Sequence, residues 1–421
     1  MSGKRYPEEF KTEAVKQVVD RGYSVASVAT RLDITTHSLY AWIKKYGPDS
    51  STNKEQSDAQ AEIRRLQKEL KRVTDERDIL KKATVDSICQ CNTPFNYLFR
   101  CFELNNLSSV VDAPCYPFSQ RLVDKKVTAE IQWALKHDPY CCADNMDRKP
   151  IEDVIFEINN FISLGGRTIV DATGSESIGR DAQALREVAL KTGLNIVASS
   201  GPYLEKFESQ RIHKTVDELA TTIDKELNQG IGDTDIRAGM IGEIGVSPTF
   251  TEAEHNSLRA ASLAQINNPH VAMNIHMPGW LRRGDEVLDI VLGEMGVSPN
   301  KVSLAHSDPS GKDVAYQRKM LDKGVWLEFD MIGLDITFPK EGIAPGVQET
   351  ADAVAHLIEL GYADQLVLSH DVFLKQMWAK NGGNGWGFVP DVFLAYLAER
   401  GVDKTILKKL CIDNPGRLLT A

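Results

Sequence analysis

Four residues in the second half of the chain have the types that hold a divalent metal ion: Glu243, His276, His306 and Asp371. Two neutral imidazoles and two carboxylates suit zinc or another borderline ion. Each sits at or beside the end of a short β-rich run: AGMIGEI, VAMNIH, VSLAH and LVLSHD. Two more acids, Asp171 and Asp330, end the runs RTIVD and VWLEFD. Singly, a strand-end histidine is more often a hydrogen-bonded core residue, and a strand-end acid more often caps a helix. Four on one rim, from four strands, could grip an ion that activates water and polarises a substrate oxygen.

Positioning them requires strands that end together. Seven runs recur after residue 150, at 167–171, 195–199, 238–244, 271–276, 302–306, 325–330 and 366–371. Each precedes a helical pattern, which predicts a parallel α/β architecture. In a TIM (β/α)8 barrel the C-terminal strand ends carry the active site. A doubly wound sheet is the alternative, but no glycine-rich phosphate fingerprint follows the first run. The barrel is the expectation.

The first 48 residues differ in kind. Helices are expected from Pro7 to Val19, from about Ser24 to Leu32, and from Thr35 or Thr36 onward. Only Asp33, Ile34 and Thr35 separate the last two, the short turn of a helix-turn-helix. The third helix would enter the DNA major groove with Thr36, His37, Ser38 and Tyr40 near base edges. Arg31, Lys44 and Lys45 would meet phosphates. A three-helix bundle that binds protein is the plainer reading. Residues 49–60 read as a polar linker. Residues 61–85 carry Ile63, Leu66, Leu70, Val73 and Leu80 at alternating spacings of three and four, with Arg77 as the one break, a zipper that predicts self-association through 61–83.

The stretches RYPEEFKTEAVKQVV, SVASVATRLDITTHSLYAWIKKY and DERDILKKAT resemble the small first-frame protein of bacterial insertion sequences, over residues 4–83. That resemblance implies binding to element ends. The catalytic carboxylates of such elements belong to a separate domain, and nothing after residue 85 looks like it.

The stretches GGRTIVDATGSESIGRDAQAL, LNIVASSGPYLEKF, AGMIGEIGVSP, IHMPG, VSLAHSDPS, LEFDMIG, LSHDV and KNGGNGWGF resemble the phosphotriesterase-related family of the amidohydrolase superfamily, over about 105–418. The resemblance implies a metal-dependent hydrolase of esters, lactones or phosphotriesters, with two metals in its intact members. It makes Glu243 the bridging carboxylate and His276 and His306 ligands of the more exposed metal. It makes Asp371 a ligand of the buried metal and the catalytic proton acceptor. Residues 382–388, Tyr203 and Trp280 would face substrate.

That family opens its barrel with a His-x-His strand, and no two of the nine histidines here are so spaced. The pair belongs near 99–104, where FRCFEL stands. A junction over 86–104 is therefore expected, resembling neither parent, in a barrel lacking its normal first strand. Part of FNYLFRCFEL could substitute, and Cys101 and Glu103 have the lost spacing. With two ligands gone, one ion is expected, zinc by type, and impaired turnover.

Composition bounds the rest. Hydrophobic residues are 42% and charged residues 26%, ordinary for a globular protein. No apolar run reaches 18 residues and the opening lacks an apolar signal region, so no membrane partner and a cytoplasmic address are expected. The seven cysteines read as free thiols. Residues 1–85 carry net +4 and the remainder −14, so only the head suits a polyanion.

Overall fold

The computed structural model describes residues 6–48, 98–101, 122–147, 149–208 and 210–420, with 98–101 and 210–211 as backbone only. Two compact units divide the chain, Met1–Cys91 and Asn92–Ala421.

The first unit holds α1 (Glu8–Val19), α2 (Val25–Arg31) and α3 (Thr36–Tyr46). Pro7 is the N-cap of α1 rather than its first helical residue. Ser24 caps α2 by accepting from Ser27 N, and Thr35 caps α3 by accepting from Ser38 N. Asp33 takes left-handed backbone (φ 49°), which lets the four residues between α2 and α3 turn the chain. Ala14, Val28, Ala29 and Leu39 form the core. The expected linker 49–60, the zipper 61–85 and most of the junction lie outside the described residues.

The second unit is a parallel α/β fold. One sheet runs β1 (Leu98–Cys101), β2 (Thr168–Asp171), β3 (Asn195–Val197). A second runs β4 (Ser199–Ser200), β5 (Met240–Gly245), β6 (Ala272–His276), β7 (Val302–Leu304), β8 (Trp326–Phe329), then β11 (Leu366–Leu368). Every pairing within both is parallel. Ala198 alone separates β3 from β4, so the two sheets follow one another along a single strand. A two-stranded antiparallel hairpin, β9 (Thr337–Phe338) and β10 (Gly342–Ile343), rises from the segment after β8.

Strand β2 is buried throughout, as are β5 and β8, as parallel strands covered on both faces are. Helices with one apolar stripe cover them: Ile151–Ser163 buries Val154, Ile158 and Phe161.

Two expectations need correction. The position before β2 is filled by Leu98–Cys101, part of the stretch offered as a substitute strand, so the expectation of a barrel lacking its normal first strand is not supported. Leu98 pairs opposite Thr168 and Cys101 opposite Asp171. Strands β7, β8 and β11 end earlier than read, leaving His306, Asp330 and Asp371 just beyond them. His306 and Asp371 take left-handed backbone (φ 55° and 49°) two and three residues past the strand ends.

Candidate metal centre

Strands β5 and β6, with the segment after β7, bring three of the four predicted ligands together. One nitrogen or oxygen from each of Glu243, His276 and His306 lies within 4.8 Å of the other two. His306 Nε2 is 2.8 Å from His276 Nδ1 and 3.3 Å from Glu243 Oε1, and His276 Nδ1 is 3.5 Å from Glu243 Oε2. Ligand bonds of about 2.0–2.1 Å in tetrahedral array place donor atoms roughly 3.3 Å apart. The donor set and its spacing fit a divalent ion.

Local sequence explains the convergence. Glu243 is fully buried on β5. Its neighbour Gly242 runs at φ 137°, where a Cβ would come within 2.5 Å of Asn274 O on β6. Only glycine permits that approach.

Behind the histidines lies a chain of buried acids. Asp330 Oδ1 is 2.9 Å from His306 Nδ1, and both Asp330 oxygens accept from His306 N at 3.1 Å. That carboxylate fixes the ring so that Nε2 faces Glu243. Asp308 Oδ2 accepts in turn from Asp330 N and Met331 N, at 3.0 and 3.1 Å. Burial, with the Asp330 charge beside it, pushes Asp308 up to about 7.

Asp371 lines the same cleft but stands outside the three-residue group. Asp171 does not line it. Its Oδ1 accepts from Thr173 N at 2.9 Å, so it closes a turn, and burial raises its carboxyl to about 6. His370, beside Asp371, accepts from Val389 N through Nε2. Burial lowers it to about 3, so it is a neutral structural residue.

The cleft above the ligands has a volume of about 100 Å³. Tyr203 and Trp280 line it, as expected, and Tyr203 Oη is 3.2 Å from His276 Nδ1. Residues 382–388 do not. Gly382, Gly383 and Gly385 border a separate small cavity beside Gln132 and Lys136. The sequence reading did not single out the hairpin that walls the cleft through Phe338 and Glu341. Two short strands of two residues each carry too little pattern to read.

In the head, Thr36, His37, Tyr40, Lys44 and Lys45 of α3 are exposed, as is Arg31. Ser38 is half-buried and its hydroxyl lies 2.9 Å from Thr35 Oγ1, so it serves the cap more than a base edge. The Arg31 guanidinium lies 5.3 Å over the Tyr23 ring.

Residues 104–419 match the Phosphotriesterase family, and the chain belongs to it. Residues 1–71 match a helix-turn-helix family described as Transposase. The putative transposase YkgN of Escherichia coli K12 is 95% identical over 111 residues, which are 26% of this chain and 99% of that protein. The N-acetyltaurine hydrolase of Salmo salar is 31% identical over 68% of this chain and 82% of its own length. A resiniferatoxin-binding protein from Rhodobacter sphaeroides superposes with a TM-score of 0.75 at 36% identity, covering 78% of this chain and 91% of that one. This is a phosphotriesterase-like body fused to a transposase N-terminus.

Proposed function

We propose that this chain is a metal-dependent hydrolase of esters or lactones, working with one zinc-like ion held by Glu243, His276 and His306. The observation that carries it is the convergence of those three donors at the base of the cleft that Asp371 also lines. The eight parallel positions, counting β3 and β4 as one, run in chain order as a (β/α)8 barrel requires, so we read the fold as that barrel.

An ion bound there would polarise the scissile oxygen and acidify water. The chain's own residues do the rest. Asp330 holds the His306 ring in its ligating orientation. The Tyr203 hydroxyl reaches the same centre beside His276. Asp371, buried in the lining of the cleft, is the carboxylate that takes the proton from water. The apolar walls exclude bulk solvent, which strengthens each of these interactions. Without a His-x-His pair, a second ion has only Asp371 and a share of Glu243, too few ligands for tight binding. Slow turnover is the consequence.

The test is metal content of the purified full-length chain by mass spectrometry. About one ion per chain is expected, falling to near zero in His276→Ala and His306→Ala. A metal-free unaltered chain after zinc loading sinks the reading. The head carries a second reading, DNA binding through α3, supported by the exposed Thr36, His37, Tyr40, Lys44 and Lys45 of that helix and the exposed Arg31 at the end of α2.

A further inference from the structure

We infer that Glu341 is a specificity residue that keeps the cleft closed to anions, so that its substrates are uncharged molecules with a bulky apolar group. The inference rests on reading this cleft as the substrate site.

The walls come from Tyr140, Phe207, Trp280, Phe338 and Phe373 together with methionine and leucine side chains. Such a surface gains by covering aryl or alkyl groups. The charges are the informative part. Among the described lining residues Lys206 is the one lysine, and no arginine lines the cleft. An anionic group on a substrate would turn to Lys206 for a partner. Lys206 Nζ already lies 3.8 Å from Glu341 Oε1 and 4.6 Å from the centre of the Phe207 ring. Glu341 sits on the β9–β10 hairpin, between Phe338 and Gly342.

The hairpin is fixed where this contact needs it. Trp280 Nε1 donates to Ile343 O at 3.2 Å, and a Cβ on Gly342 would collide with the Trp280 ring at 2.2 Å. Glu341 is thus held at the mouth by its neighbour's packing rather than by its own ion pair. That distinction matters, because both partners are partly exposed and such a pair binds weakly. The carboxylate need not immobilise Lys206. It needs only to stand where an incoming anion would stand. A unit charge about 4 Å away in water changes an equilibrium roughly fivefold. At the cleft floor, Glu243 and Asp371 offset the two positive charges of a bound ion. The whole body carries net −14 and repels anions further.

The experiment uses two non-hydrolysable probes of one shape, naphthalene-1-sulfonate and 1-naphthyl methyl sulfone. Binding to the full-length chain is measured by isothermal titration calorimetry, with zinc and with chelator. The sulfone is expected to bind at least fivefold tighter than the sulfonate. Glu341→Gln should narrow that ratio by threefold to tenfold, and adding Lys206→Met should widen it again. Equal binding of both probes by the unaltered chain overturns the inference. So does a ratio that ignores Glu341→Gln, or failure of both probes to bind. Turnover is not needed for the readout. Tight sulfone binding by a chain that hydrolyses no ester would remove the hydrolase reading and leave this one standing.

Discussion

At the scale of single residues, the centre is built from groups that pull against burial. Asp171 makes this measurable away from the ligands. Its carboxyl is raised from 3.8 to about 6, chiefly by burial. A raised acid favours folding while protonated, so its contribution is full below about pH 4 and gone above about pH 6. Two units correspond to roughly 3 kcal/mol. Asp171→Asn should remove that dependence. Denaturant midpoints at pH 4 and pH 7 are the measurement, and equal pH dependence in both chains would refute it. The residue types of the centre were legible in sequence, because strand-end histidines and acids stand out against apolar runs. The left-handed backbone of His306 and Asp371 was not: histidine and aspartate are enriched at positive φ, but only a few per cent of residues other than glycine adopt it, so the residue type does not mark the position. Asp330 was visible as a strand-end acid, but its role as the holder of His306 needed coordinates.

At the scale of elements, the loops around the cleft hang on one buried carboxylate. Glu254 opens the helix Glu252–Asn267 in a capping box with Thr251. Its Oε2 also accepts from Ser247 N and Ser247 Oγ after β5, and its Oε1 from Glu205 N after β4. Several charge-assisted bonds converge on a side chain that is 1% exposed. Glu254→Ala should cost on the order of 2–4 kcal/mol, read as a lower thermal midpoint. A shift of less than a degree would show that the loops are held elsewhere. The capping box T-E-A-E is readable in sequence, whereas the two loops it gathers are not. Strand positions were readable through their β-branched runs, with ends misplaced by one to three residues. The first strand was the hard case. FNYLFRCFEL lacks alternation, and only its pairing with β2 reveals it.

At the scale of the whole molecule, charge separates the two parts. The head carries +4 up to residue 85 and the remainder −14. If Arg31, Lys44 and Lys45 meet phosphates, binding to DNA of a neighbouring element's end must weaken with salt. Each phosphate contact adds about 0.9 to the slope of log affinity against log salt. Lys44→Ala with Lys45→Ala should lower that slope by about 2, measured by fluorescence anisotropy from 50 to 200 mM salt. A slope unchanged by the pair would remove those lysines from the interface.

The register of β1 on β2 has a consequence for how such a chain can exist. Its four residues precede the Phosphotriesterase match, so the sheet takes in a stave that the family match does not cover. Cutting the chain at the family boundary would carry that stave away and bare the flank of β2, a ready template for aggregation. The two inheritances can be told apart by ancestry, but they cannot be parted by a scissor cut.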